Sequence, residues 1–446
     1  MAVKTAGDNL TTLYDRAKKV LVAGAGAANR VYSALGQPIY LDRADGARVW
    51  DVNGKEYIDY HTCAGAGLFG YNHPRIRKAV EKAMELGFFC NWDTPYHVEL
   101  AELFAKVFPC AERTRISNTG TEATMGAIRM ARGYTGRQVV IRMDGHFHGM
   151  HEMIWYNHNK PYAANANGEV NLTPDSDGFP KGLDKTLVNI PFNDVEALEG
   201  AVKRHKDQVA AVILEPASFN CGCYMPREGY LQEVRKICDR EGIVLIFDEV
   251  ITGLRMRPGS AQAYFGVTPD LATVAKAVGG GFQTAAVVGK AKVMEGALAP
   301  VGKVGMSGTY TGSLMAVLVA IECLKMSQEP WYFDHIDALA GKLYGGIDDL
   351  MRKHGVKGHV RGLGARFGIY FGVENPDDDF DWRKVAKSYD PLIHERFLLE
   401  SLERGIFFLD GGRGISPPHK GFSIMHTQDD VAETLTRFDD VFKAIK

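Results

Sequence analysis

Between Thr114 and Lys290, short apolar runs rich in β-branched residues alternate with stretches of helical period. The runs are TRIS, QVVIRM, AAVILEP, IVLIFDEV, LATVAK and AAVVGK. A run that is apolar on both faces fits a strand buried between two helix layers, because both faces must then leave water. The pattern predicts an α/β fold, with a large three-layer domain around a mixed sheet. Upstream, IYLDRADGARVWDVNGKEYIDY alternates apolar and polar residues and carries the turn dipeptides Asp45-Gly46 and Asn53-Gly54. It predicts a small antiparallel meander outside the main sheet. After Leu324 the period becomes helical over HIDALAGKLYGGIDDLMRKHG, then strand-like in RFGIYFGV and GIFFLD, with a final helix from Gln428. The expected division is an N-terminal segment, 1–75, contributing to a small domain, a large domain over 76–325, and a C-terminal small α+β domain over 326–446.

Composition narrows the function classes. Hydrophobic residues make up 46% and charged residues 24% of the 446, which describes an ordinary globular protein with room to bury a site. Lys plus Arg (52) nearly balances Asp plus Glu (54), so no basic field favours nucleic acid or an anionic membrane, and a small-molecule ligand is expected. The seven cysteines are odd in number and mostly scattered, unlike a disulfide framework. With no signal-peptide pattern and no apolar run of membrane-span length, the expected location is the cytoplasm.

Three segments carry candidate chemistry. In SNTGTEATMGAIRMARGYTG a strand ends at Asn118-Thr119-Gly120-Thr121 and a helix follows at once. Unpaired N–H groups and the positive dipole end there suit a phosphate, although Thr121 as a plain helix cap explains the same residues. In IVLIFDEVITG, Asp248 closes an apolar strand at the carboxyl edge of the sheet, where α/β ligands gather. Its carboxylate there needs a cationic partner, and a metal or a structural Asp-Glu pair remains open. In PDLATVAKAVGGG, Lys276 ends a short apolar run just before three glycines. Burial of such an amine would ready it for imine chemistry, while a lysine snorkelling from a strand end is the plainer alternative. An ordered set of phosphate-type turn, buried acid and amine is more telling than any one of them.

Together NTGTEATMGAIRMARGYTGR, DGHFHG, LEPASFN, IFDEVITGLR, FGVTPDLATVAKAVGGG and SGTYTGS resemble the successive signatures of class III (ω-type) aminotransferases dependent on pyridoxal 5'-phosphate (PLP). The likeness is greatest to the branch containing glutamate-1-semialdehyde aminomutase, and runs from about residue 36 to the C-terminal helix. It implies PLP fold type I and a homodimer. It also implies that Lys276 is the Schiff-base lysine and general base, and that Asp248 pairs with the pyridine nitrogen. Gly120 and Thr121 would bind phosphate. Phe147, where the family usually has Tyr, and Val250 would cover the two ring faces. Asn220 would sit near the 3-hydroxyl, and Thr309 would reach the phosphate of the other subunit's cofactor. The implied activity moves an amino group from an amine or amino acid to an oxo acid.

The chain departs from the mutase pattern at three places. Ala64 stands near the mutase's tryptophan, the segment from Trp155 to Gly182 replaces its gating loop, and an acidic residue near SPPHKGFSIMHT is missing, with His419 nearest. Intermolecular transamination is therefore the main reading, the aminomutase the alternative, and an idle PLP-binding regulator a distant third. The GGRG run at 411–414 is similar to aromatic and β-amino acid aminotransferases, and Arg30 and Arg413 are candidates to hold a substrate carboxylate. KVLVAGAGAAN, residues 19–29, imitates a dinucleotide fingerprint but has Asn29 at the third small position, so a helix of alanines is expected. His146, His148, His151, Cys221 and Cys223 close no four-ligand zinc spacing, so no metal is expected.

Overall fold

The computed structural model describes residues 9–446 except 88, 159–162, 164, 166–168, 299–303, 376–379, 381 and 412–413. Seven strands build the central sheet: β1 (Arg113–Ser117), β2 (Val139–Met143), β3 (Leu187–Ile190), β4 (Val209–Leu214), β5 (Val244–Asp248), β6 (Leu271–Val274) and β7 (Ala285–Gly289). Their order across the sheet is β1-β7-β6-β5-β4-β2-β3, with β7 antiparallel to both neighbours and the pairs from β6 to β3 parallel.

Alternation along these strands fills two cores at once. Val244 and Ile246 of β5 join Ala211, Ile213, Val140 and the helix Gly120–Thr135 on one face. Leu245 and Phe247 join Val212, Leu214, Ile141 and the helices Val195–Arg204 and Tyr230–Glu241 on the other. In every strand but the edge strand β1, whose residues are partly exposed, each residue is thus covered whichever way it points, which explains the unbroken apolar runs. β3 (LVNI) escaped the sequence reading because it is four residues long and its third is Asn189, a polar side chain that bonds to buried Asp144 (2.9 Å) and Arg142 (3.2 Å).

The meander forms as its turns predict. Leu41–Asp45, Arg48–Asp51 and Glu56–Asp59 pair antiparallel, and Ile406–Phe407 adds to Glu56–Asp59 in parallel, so the two ends of the chain share one small sheet. A second small sheet joins Val360–Leu363, Arg366–Ile369 and Lys420–Gly421. The expected alanine helix over 19–29 does not form. Residues there make only the short turns Val22–Gly24 and Ala28–Arg30, with Ala23 and Gly24 at φ 52° and 69°, because glycine lets the chain turn left-handed instead of winding on. The helix lies earlier, at Leu10–Ala17, capped by Asn9. No described helix is long and apolar enough to cross a membrane.

Parallel strands running the same way deliver their carboxyl ends to one edge. The chain leaves β1 at Asn118, β2 at Asp144, β4 at Glu215, β5 at Glu249 and β6 at Ala275, and these exits converge on one cavity.

Candidate active site

The cavity has a volume of about 310 Å³ and is lined by Gly120, Thr121, Phe147, Asn220, Asp248, Val250 and Lys276, all singled out from the sequence, together with His148, Glu215 and Ala66. These residues, up to 210 apart in sequence (276 − 66), meet there, most of them because they end a strand of the central sheet or lie in the loop after one.

Lys276 begins a tight turn, Lys276–Gly279, and holds φ +47°, a left-handed conformation that non-glycine residues seldom adopt and that functional sites tolerate. Burial brings its amine down to about 7, and the nearby Arg255 and Arg366 push the same way. An amine in that range is largely neutral, hence nucleophilic, near physiological pH.

Asp248 ends β5. Its Oδ1 accepts hydrogen bonds from Thr273 Oγ1 (3.0 Å) and Val250 N (3.1 Å), and its Oδ2 from His148 Nδ1 (2.8 Å). Burial pushes the carboxyl up to about 6, so the acid is short of compensating positive charge, as a group awaiting a cationic partner should be. Burial also holds His148 well below its ordinary value, so its ring is neutral and donates one N–H to Asp248.

The helix Gly120–Thr135 starts at the cavity. Thr119, not Thr121, caps it, its Oγ1 accepting from Glu122 N at 3.2 Å. That corrects the plain-cap alternative: Thr121 Oγ1 instead accepts from Met150 N at 3.4 Å, and with Glu122 and Ala123 N–H taken by Thr119, the N–H groups of Gly120 and Thr121 are the ones without an acceptor inside the helix. A Cβ at Gly120 would stand 3.1 Å from Val250 Cγ1, so only glycine leaves this cradle open. An anion site, a buried carboxylate and a neutral amine in one chamber fit a phosphorylated pyridine aldehyde.

Glu215 is the residue that sequence reasoning passed over, although it stands inside the quoted LEPASFN. Its Oε1 accepts from Phe147 N (3.0 Å) and its Oε2 from Asn220 N (3.3 Å), fixing two cavity residues at once, and burial pushes it up to about 7. The histidines have partners of other kinds: His146 Nδ1 accepts from Glu215 N at 3.0 Å, and His151 Nε2 lies 3.3 Å from Thr124 Oγ1.

Three expected residues do not line this cavity. Thr309 is exposed on a turn beyond it. Arg30 lies on a separate cavity of about 420 Å³ with His61, Cys63, Ala64 and Asp410. Arg413 lies outside the described residues, as does part of the segment replacing the mutase gate.

The model of the Aminotransferase class-III family matches residues 31–441. The chain belongs to the class III aminotransferase family. Members of this family are PLP-dependent enzymes acting on small-molecule amines and oxo acids, and the chain has their fold type I architecture. A glutamate-1-semialdehyde 2,1-aminomutase of Methanocaldococcus jannaschii is 36% identical, with 100% of each chain covered. Among solved structures, an omega-transaminase from Sphaerobacter thermophilus superposes with a TM-score of 0.88 at 30% identity, covering 99% of this chain and 98% of that one. A transaminase with PLP bound gives 0.85 at 27% identity, covering 98% and 97%. The curated mutase name agrees with the alternative drawn from the sequence more than with the main reading.

Proposed function

We propose that this class III enzyme exchanges an amino group between an amine or amino acid donor and an oxo acid acceptor, with Lys276 as the residue that anchors PLP and moves the proton. The observation that carries this is the single chamber shared by a neutral buried amine, Lys276, a buried acid, Asp248, and an open helix N-terminus at Gly120-Thr121. In this reading Gly120 and Thr121 hold the phosphate and Phe147 and Val250 cover the ring faces. Asn220 lies by the 3-hydroxyl, and Thr309 of a second copy completes the phosphate site in a homodimer. When bound, the cofactor supplies an aldehyde that captures amines and an electron-poor ring that accepts the charge left when a C–H bond breaks.

The chain's residues do the rest. Asp248, held by Thr273 and His148, keeps the ring nitrogen positive. Lys276 takes the proton from the donor carbon and returns it on the other side of the same bonded system, a task suited to an amine near 7. Phe147 and Val250 exclude water, and Arg30 and Arg413 are the proposed carboxylate holders, with an aromatic or β-amino acid as donor. Seven free thiols fit a reducing cytoplasm.

The second reading is the intramolecular 2,1-aminomutase, favoured by the relative at 36% identity. On relatives' names it has the stronger support. The exchange reading rests on the departures in sequence, Ala64 near the mutase's tryptophan and a missing acid with His419 nearest; Ala64 lies on the neighbouring Arg30 cavity. Supplying glutamate 1-semialdehyde alone, without an oxo acid, separates the two. Conversion to the isomeric amino acid establishes the mutase, whereas dependence on an added acceptor establishes exchange. A protein whose visible absorbance responds to no amine in a broad panel is neither.

A further inference from the structure

Two arginines from distant parts of the chain lie against one loop in the wall of this chamber. Arg255 follows β5 and Arg366 opens the strand Arg366–Ile369; they are 0% and 1% exposed. The loop is strained, with Thr62, Cys63 and Ala64 at φ 45°, 51° and 51°, then Gly65 at 103°. That path brings Gly65 onto both guanidinium groups. Arg255 Nη2 donates to the Gly65 carbonyl, and a Cβ at residue 65 would stand 2.7 Å from Arg366 Nη2 and 3.0 Å from Arg255 Nη2.

Every other bonded partner of the two is neutral. Arg366 donates to Thr62 Oγ1 (2.9 Å) and to His419 Nδ1 (3.3 Å), and Arg255 to the carbonyls of Ile251 and Gly253. Among the described residues no carboxylate is ion-paired with either, and the buried Nε of each has no partner. Asp59, the acid acting on Arg366, is already taken by Tyr71 Oη (2.7 Å), His61 N (2.8 Å) and Thr62 N. Two buried like charges with no counter-charge are costly unless an anion completes the group.

The loop that both guanidinium groups touch borders the chamber, although the two side chains lie behind it. Ala66, next to Gly65, lines the Lys276 cavity, whereas Cys63 and Ala64 line the Arg30 cavity, so this loop partitions the two. His419 accepts from Arg366 on Nδ1, which leaves its ring hydrogen on Nε2 as a further donor.

We propose that Arg366, oriented by Thr62 and His419 and backed by Arg255, is an anion subsite that receives a carboxylate of the amino donor or oxo acceptor. The enzyme would then be selective for amino acids over simple amines. This rests on the transfer reading above, and adds to it a carboxylate group distinct from Arg30 and Arg413.

The test uses the full-chain holoenzyme and the variants Arg366→Met, Arg366→Lys and Thr62→Val. Donor binding is followed by loss of visible absorbance with 3-amino-3-phenylpropionate and with 1-phenylethylamine, the same molecule without its carboxylate. Calorimetry measures 3-phenylpropionate, which cannot react. Arg366→Met should weaken both carboxylates by about tenfold or more beyond whatever loss it causes with the amine, since it also alters the charge around Lys276, and Arg366→Lys should do so less. Thr62→Val, which retains the charge, should give a smaller loss of the same selectivity and decides the matter if Arg366→Met does not fold. Equal losses for the amine and the amino acid, or unchanged affinity for 3-phenylpropionate, would overturn the subsite. If the wild type responds to no donor, the transfer reading fails, and calorimetry still judges the subsite by itself.

Discussion

His148 Nδ1 stands 2.8 Å from Asp248 Oδ2 at the buried end of β5, so a neutral imidazole holds the acid that faces the cavity. Replacing the charge while keeping the shape should separate binding from chemistry. Asp248→Asn should retain the cofactor yet lower kcat by roughly 10²–10³-fold, the scale on which one electrostatic contact acts in a closed site. His148→Phe leaves the charge and removes one bond to it, so about a tenfold loss is expected. Single-turnover kinetics with absorbance monitoring measures both; an Asp248→Asn enzyme at full rate would remove Asp248 from the mechanism.

Lys276 is held at about 7, below its ordinary 10.5. Covalent uptake of PLP by the apoprotein needs the neutral amine, so its rate should climb through pH 6 to 7 and level off near pH 8. A rate still climbing towards pH 10 would mean an ordinary exposed lysine. Lys276→Ala should abolish both half-reactions and the borohydride-trapped adduct at this position.

At Gly120 a methyl group would press on Val250 Cγ1 at 3.1 Å, at the start of the helix proposed to hold phosphate. Gly120→Ala should therefore weaken PLP by about tenfold with little change in thermal midpoint, because the helix itself gains a better helix former. Equilibrium dialysis of apoprotein against PLP reports the loss.

Lys420 is a second buried amine, 3.0 Å from His394 Nε2 and 4.8 Å above the Phe408 ring, and burial brings it down to about 7. An amine whose folded value lies below its unfolded 10.5 lowers stability increasingly as pH falls from 10.5 to about 7, then by a constant amount below that. Lys420→Met should thus stabilise the fold by on the order of 2 kcal/mol at pH 7, and by much less at pH 10. The freed His394 nitrogen offsets part of the gain. Denaturant titrations at the two pH values read the difference; equal gains at both would mean that the folded amine keeps its ordinary value near 10.5.

The central sheet was legible because its strands are covered on both faces, so the signal is the bare apolar run. Five of its seven strands announce themselves that way; β1 instead alternates exposed and covered residues at the sheet edge, and β3 carries Asn189, whose side chain is met by Asp144 and Arg142, which are remote in sequence. Likewise Asp248 and Lys276 could be named from local context, since each ends an apolar run and is followed by a turn. Glu215 could not, because its importance lies in two backbone N–H groups, at Phe147 and Asn220, that only the folded loops bring within reach.

By itself the sequence determined the strand and helix periods, the residue types at the strand ends, and the family likeness they carry, because these are local or ordered along the chain. Only the tertiary structure decided which side chains share a dielectric environment. Arg255 and Arg366 are 111 residues apart (366 − 255) and read as ordinary arginines until the loop at Gly65 presses them together beside Lys276. Charge acts through space and desolvation through enclosure, and neither distance nor enclosure is written in the order of residues.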